Sequence, residues 1–461
     1  MISSRLPMVA VLLAGTVALS GCSTINRLNP FDRDDGPQEV AGEGERISVI
    51  AFDDTLNVSD TLRGADFFLP TPYSRTAWPL PGGNLEQAPE HVEAPVAFDV
   101  AWRRGFGQGS GRGHHVLAPL VAADGRIYVM DGGATVSAID AKSGQVIWDS
   151  NLEPTRREER EGFGGGLALA DGKLYVTSGY RFMARLDAAT GAVDWRSETE
   201  QPIHAAPTVT AGRVMAVALD NTLLTYDAAT GAPSWTYQAL SEPARILGAS
   251  SPAVSGDTVV ASFSSGELVA LRSGNGNDLW NEGLSRASRT NALSEIRDIV
   301  GRPVIYRGDV YAVSHSGAFA AVDLRTGAPR WTLPVTGVTT PWPAGDVVFV
   351  VSKAGEVICI SRESGQVYWI RDLNEDVEQR KTGGIFGIGG TIAPKPLWTS
   401  PLLASNKLVV ASSSGEMAVL NPKTGEVERR LNLGGSVLVD PIAVGGMIYV
   451  ATDNAQLIAL R

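Results

Sequence analysis

From residue 119 to residue 461 the chain repeats one spacing. A Pro or its equivalent stands about twenty residues ahead of a turn-opening residue, and Gly follows that residue at +4 and Trp at +8. The opening pairs are Pro119 and Asp140 (with one extra residue), Leu167 and Asp187, Pro207 and Asp227, Pro252 and Arg272, Pro303 and Asp323, Pro341 and Ser361, Pro401 and Asn421, and Pro441 and Arg461. The trailing pairs are Gly144 and Trp148, Gly191 and Trp195, Gly231 and Trp235, Gly276 and Trp280, Gly327 and Trp331, and Gly365 and Trp369. The seventh copy keeps Gly425 but carries Arg429 where Trp is expected, and the eighth stops at Arg461.

A unit this short leaves no room for helices between its turns. In Ser251 to Trp280, SPAVSGDTVVASFSSGELVALRSGNGNDLW, short alternating apolar runs are cut by SGD, SSGE and a Gly-bearing turn, which predicts four antiparallel strands. One such sheet is marginal alone, because it buries little area against the roughly 1–2 kcal/mol per residue lost in fixing its backbone. Eight copies can bury one another's faces. The expectation is therefore an all-β chain folded as an eight-bladed β-propeller of four-stranded antiparallel blades over residues 96–461.

The missing eighth Trp has a counterpart ahead of the first copy, in VAFDVAWRR, Val96 to Arg104, with Trp102. Placed as the outer strand of the last blade, this segment closes the ring and leaves no seam. The repeated residues have structural work in such a scheme. Asp can accept backbone N–H bonds in an Asx-turn, Gly can take the positive φ of a bulged turn, and Trp can cover apolar area between blades.

The N-terminal segment reads as a targeting device. Arg5 is followed by the short apolar run Val9 to Leu19 and then by Leu19-Ser20-Gly21-Cys22. LSGC resembles the bacterial lipoprotein processing box, which implies a signal peptide over residues 1–21 and a lipid on Cys22. By the rule of that family, Ser23 rather than Asp after the Cys implies an outer membrane, the chain facing the periplasm and held by its lipid alone. Residues 22–45 are expected as a flexible tether, and residues 46–95 as an extended lead-in that includes RISVIAF and the Pro-rich WPLPGGN.

Charge and side-chain chemistry narrow the function. The chain carries 39 Lys and Arg against 50 Asp and Glu, a formal net charge of −11, and loss of Arg5 with the signal would make it −12. An acidic surface without a basic stripe speaks against nucleic acid. With Cys22 lipidated, Cys359 has no disulfide partner and is expected as a buried small hydrophobe in VICI. His114 and His115 are adjacent in a Gly-rich loop and cannot both face one metal from a strand; no metal site is expected.

Loop length points to one face. The first-to-second and third-to-fourth turns are uniformly tight, whereas the crossings between blades vary. Between Trp and the next Pro there are 9 residues before Pro341, 16 before Pro252, 22 before Pro303 and 31 before Pro401. Insertions confined to one end of a rigid scaffold are the mark of a binding face. Crossing residues carry no repeat signature and are expected to be exposed.

The Asp-x-x-x-Gly-x-x-x-Trp repeat and WPLPGGN resemble the PQQ-like repeat propellers. That family holds quinoprotein dehydrogenases and also the lipoprotein subunit of the outer-membrane β-barrel assembly machinery, which LSGC plus eight repeats resembles across essentially all of residues 1–461. The resemblance implies a non-catalytic scaffold, without cofactor, that binds the periplasmic POTRA domains of a BamA-like barrel subunit. Other lipoproteins of the complex would be indirect partners and unfolded outer-membrane proteins further candidates. The implied contact lies on two neighbouring crossings, Ala244 to Pro252 and Ser294 to Pro303. An aliphatic-x-aliphatic-Arg pattern falls on Ala244, Ile246 and Leu247 with the Arg displaced to Arg245; of two Asp positions Asp298 matches and Val300 does not. Two rivals are weaker. A quinone-dependent dehydrogenase looks to need an adjacent Cys pair and a Ca²⁺ site, and the two cysteines here are 337 positions apart. A glycan-binding propeller would want paired carboxylates with exposed aromatics, while Glu158, Glu159 and Glu161 sit in a charged run, RREERE, that suits a solvated loop.

Overall fold

The computed structural model describes residues 56–95, 97–152, 162–241, 250–284, 296–377, 381–382, 391–392 and 394–461. Among them are eight four-stranded antiparallel sheets and no α-helix, as the repeat predicts. Blades 1 to 7 run from Val121 to Asn151, Gly165 to Glu198, Thr208 to Gln238, Ala253 to Gly283, Val304 to Leu333, Trp342 to Asp372 and Leu402 to Asn432; blade 4, with strands Ala253–Ser255, Thr258–Ser262, Glu267–Arg272 and Asp278–Gly283, shows their pattern, in which each strand pairs with the next in chain order. A two-stranded hairpin, Lys381–Thr382 with Thr391–Ile392, adds to the long crossing between blades 6 and 7.

The eighth blade is composite. Ile442–Val444, Met447–Ala451 and Gln456–Leu460 take Val100–Gly105 as their outer strand, so the two ends of the ring are stitched by main-chain pairing. Asp99 and Arg461 exchange backbone hydrogen bonds of 2.9 and 2.8 Å at this join. The strand begins four residues later than the expected Val96 and ends one later, at Gly105. The buried Phe98 adopts a left-handed φ of 52°, which breaks the extended run ahead of it. Val96 lies outside the described residues.

The core lies between blades rather than within them. Met215, Val217 and Leu223 of blade 3 pack on Val254, Val259 and Phe263 of blade 4, while Leu268, Ala270 and Trp280 of blade 4 pack on Ile305, Val310 and Val322 of blade 5. Outer strands are half-solvated: of Asp278–Gly283 only Trp280 is buried.

Each repeat Trp leans on the following blade. The Nε1–H of Trp148 donates to Ala188 O (3.2 Å), that of Trp235 to Ser273 O (3.2 Å), and that of Trp369 to Pro422 O (3.1 Å), always just after the neighbour's turn-opening residue. The Gly three positions on has to be Gly for a second reason besides its φ near 70°. A Cβ on Gly191, Gly276 or Gly425 would lie 2.5 Å from the preceding blade's indole ring. Trp102 closes the ring in the same way, donating to Ala141 O (3.2 Å) and covering Gly144. Blade 7 has no such turn ahead of it, because the outer strand of blade 8 is Val100–Gly105 and is not joined to Gln456–Leu460 by a turn. Its Arg429 instead reaches past the join and donates from Nη1 to Ala97 O.

The lead-in, for which the sequence predicts only an extended course, lies across the ends of the innermost strands beside the tight turns. Trp78 exchanges backbone bonds with Ala122 of blade 1 (2.6 and 2.8 Å). Leu169 of blade 2, Val254 of blade 4 and Ile305 of blade 5 donate to the carbonyls of Pro79, Leu85 and Glu86 (2.8, 2.7 and 2.9 Å). The Trp342 Nε1–H of blade 6 donates to Glu90 O (2.5 Å), Val92 donates to Leu403 O of blade 7 (3.1 Å), and Gly445 of blade 8 donates to Arg75 O (2.8 Å). Seven blades are thus tied to one strap, whose own Trp78, Leu80, Gln87, His91 and Val92 are buried.

Candidate partner-binding face

With the tight-turn end capped by the lead-in, the other end is the one from which the crossings between blades depart. Its geometry starts from the turn between the second and third strands of each blade, where one residue takes a left-handed φ: Ala134, Arg181, Asn221, Gly266, Gly317, Gly355, Gly415 and Ala455. In seven blades the carbonyl of that residue receives the N–H of the residue leaving the outer strand, as in Leu152 to Ala134 (3.2 Å), Leu284 to Gly266 (2.8 Å) and Leu433 to Gly415 (2.8 Å); in blade 5 the Val335 N–H turns to Leu333 O (3.0 Å) instead. Seven crossings therefore depart from a fixed point. Beyond it, length and sequence are free to vary.

Of the residues expected to meet a partner, Ala244, Arg245, Ile246 and Leu247 lie outside the described residues. Asp298 does not lie where exposure was expected. It is 1 % exposed, its carbonyl accepts the His315 N–H (2.8 Å), and the adjoining Ile299 is buried with its N–H on Phe263 O (3.4 Å). The returning half of this crossing is thus packed down between the turns of blades 4 and 5, and the carboxylate goes down with it. Val300 is half-buried beside it, and both line a cavity of about 10 Å³, the size of one water, with Asn221, Ser250 and Phe263. Arg297, one residue earlier, is exposed.

Next to Asp298, His315 Nε2 lies 2.8 Å from Lys353 Nζ. Burial, and then the Lys353 charge, hold this imidazole below its ordinary value. Closer to the axis Arg302 Nη2 reaches Asp440 Oδ2 at 3.0 Å, joining blades 5 and 8, while Asp440 Oδ1 accepts Ser400 N–H (2.9 Å) and Ser400 Oγ accepts Thr340 N–H (2.9 Å). Sequence reasoning passed over this web, because Arg302 and Asp440 are 138 positions apart and only ring closure brings them together.

At the edge of blade 3, Leu240 has 66 % of its surface exposed, more than any other exposed large apolar side chain among the described residues. Its N–H donates to Glu267 Oε2 (2.8 Å) and its carbonyl accepts Asn221 Nδ2 (2.7 Å). Glu267 also accepts Ser265 Oγ and Asn281 Nδ2, both at 2.7 Å. Burial lifts the Glu267 carboxyl, and the bonds from Asn281, Ser265 and the Leu240 N–H outweigh it, leaving the group below its ordinary value.

At the opposite end Lys423, on a tight turn, holds Asp66 at 2.5 Å and lies over the Phe67 ring at 4.2 Å, so it fastens the lead-in. Among the described residues the one cysteine is poorly placed for a quinone seat. Cys359 is fully buried, facing Phe349 and Trp369 across its sheet, and burial pushes its thiol well above the ordinary range. Trp78 and Val92 of the lead-in are buried against the innermost strands of blades 1 and 7. His115 stands edge-on to Phe163 at 5.4 Å, and His114 Nε2 lies 2.9 Å from Gln108 Nε2, an arrangement that uses each ring in packing or hydrogen bonding. Glu158, Glu159 and Glu161 lie outside the described residues.

Comparison with known proteins adds the lineage. The family model described as outer membrane protein assembly factor BamB matches residues 99–159, 132–371 and 380–461. The protein of that name from Alkalilimnicola ehrlichii is 29 % identical over 382 residues, 82 % of this chain and 93 % of its own. Its namesake from Vibrio cholerae is 28 % identical over 79 % of this chain and 89 % of its own. Among solved structures, BamB from Moraxella catarrhalis superposes with a TM-score of 0.65 at 20 % identity, over 79 % of this chain and 99 % of that one. The quinohemoprotein alcohol dehydrogenase of Comamonas testosteroni superposes with a TM-score of 0.63 at 15 % identity, over 84 % and 80 %. Both likenesses speak to the fold.

Proposed function

The chain belongs to the family of the outer membrane protein assembly factor BamB, and from that premise we propose that it is a non-catalytic scaffold of outer-membrane protein assembly. It is anchored through a lipid on Cys22 after loss of residues 1–21, faces the periplasm on a tether spanning residues 22–45, and presents the crossing end of its propeller to the POTRA domains of the barrel subunit. The observation that carries the reading is the inequality of the two ends. One is held shut by the strap and by uniformly short turns, while the other bears every long insertion on rigid departure points.

Ala244, Arg245, Ile246 and Leu247 supply the apolar part of the contact in this reading. Val300 and the exposed Arg297 border it, and the buried Asp298 shapes the neighbouring crossing from below instead of meeting the partner. The test is a titration of purified POTRA domains against the mature chain and its Ile246→Asp/Leu247→Asp variant. A desolvated charge at an interface anchor costs about 2–4 kcal/mol, so binding should weaken thirty-fold or more with the circular dichroism of the sheet unchanged. Equal affinity for parent and variant would remove these residues from the interface, and no binding by the parent would remove the reading itself. The anchor is tested separately. Cys22→Ala should abolish incorporation of labelled palmitate, because its thiol is the acceptor at the processing box.

A further inference from the structure

Where blade 3 hands over to blade 4, the repeat departs from its own pattern. Four residues after the Trp position, six blades bury a large apolar side chain under the departing crossing: Phe106, Leu152, Leu284, Val335, Leu373 and Leu433, all 5 % exposed or less. Blade 2 has Thr199 there and blade 3 has Ala239, and in blade 3 a large apolar residue comes one position later, as the exposed Leu240. A lone exposed Leu on a mobile loop would need no explanation. This one has both main-chain groups held by side chains of two blades, Asn221 from blade 3 and Glu267 from blade 4.

The frame is fixed in turn. Asn221 is 2 % exposed, and its Oδ1 accepts the Ser264 hydroxyl at 2.6 Å. The side chain it presents stands at an open depression of about 630 Å³ lined by Asp220, Tyr237, Gln238, Ala239, Ser241 and Glu267. Neither Asp220 nor Glu267 pairs with a cation among the described residues. An apolar knob on a rigid mount with an acidic rim, at the start of the crossing that carries residues 244–247, matches one kind of partner.

We propose that Leu240 is a preorganised anchor for a protein partner that offers an apolar pocket edged by Lys or Arg. The inference rests on the scaffold reading above and makes the occupant the same POTRA surface, seated further toward blade 3 than the crossing residues alone would put it. Preorganisation removes the ordering cost that a mobile loop residue would bring to the complex, so truncation of this side chain falls fully on affinity.

The experiment uses the mature chain and purified POTRA domains. Leu240→Ala is expected to raise Kd about ten- to a hundred-fold with an unchanged thermal melt, and a photo-crosslinking residue at position 240 is expected to yield an adduct with the POTRA domains. Affinity should also fall with added salt, because of the acidic rim. If Leu240→Ala binds like the parent while Ile246→Asp/Leu247→Asp fails, the anchor is overturned and the scaffold reading stands. Absence of the adduct at 240 alongside its presence at 246 overturns the anchor in the same way. If the parent itself does not bind, the scaffold reading fails and the anchor falls with it.

Discussion

A Cβ on Gly276 would stand 2.5 Å from the Trp235 ring at a backbone φ of 75°, so one substitution there meets two penalties. Gly276→Ala should cost about 2–3 kcal/mol in denaturant unfolding, part from left-handed strain and part from overpacking. In a Trp235→Ala background only the strain should remain, about 1 kcal/mol; an equal cost in both backgrounds would mean that the glycine serves the turn alone. The Asp residues of the same turns titrate usefully. Asp140, Asp187, Asp227 and Asp323 are each held below the ordinary 3.8, first of all by the hydroxyl of Ser143, Thr190, Thr230 or Thr326. Their folded values lie below the unfolded ones, so the stability they contribute is present above about pH 4 and is lost as the pH falls through the folded values. The melting temperature should drop on acidification below pH 4, and less steeply once all four are Asn. The Asx-turn and the left-handed Gly were legible in the spacing, because each acts within one turn; the contact of Gly276 with Trp235 was not, since the two belong to different blades at no fixed offset. Asp298 was not legible: its burial depends on His315, which arrives from another blade.

Among elements, the closing strand could be found because it carries a Trp that the eighth copy lacks. The strap could not be. Its contacts run through main-chain carbonyls, among them Pro79 O and Leu85 O, and these leave no side-chain period to read. Its Pro residues suit the place, since a residue without an N–H leaves no donor stranded over the ends of the strands. Replacing residues 56–94 by a Gly/Ser linker of equal length should lower the melting temperature of the ring in one cooperative calorimetric transition, as should deleting Val100–Gly105. Loss of a single blade's worth of enthalpy, with the remainder melting as before, would show that the strap serves one neighbour. Trp78→Ala isolates its largest buried side chain, 1 % exposed, and should cost about 3–5 kcal/mol.

For the molecule as a whole, the strap and the insertions divide labour between two ends. Stability is concentrated where seven blades share one segment, and recognition where the crossings depart. The division predicts where a partner will leave its footprint. Amide hydrogen exchange on the complex with POTRA domains should slow in residues 238–241, 250–252 and 296–302, at the junction of blades 3, 4 and 5. It should be unaltered in the tight turns at 141–145, 188–192 and 421–425, which face the other way. The tight turns are the stricter part of this test, because their amides exchange through local opening and would register even weak occlusion. Lys142→Glu belongs with them: Lys142 is exposed beside Asp140, and its reversal should leave affinity unchanged. Lys423 is unsuitable as that control, since its loss would free Asp66 and Phe67 and loosen the strap. Protection appearing in the tight turns while 238–241 and 296–302 exchange as before would reverse the assignment of the two ends. A strap held by seven blades would then have to be read as the binding surface.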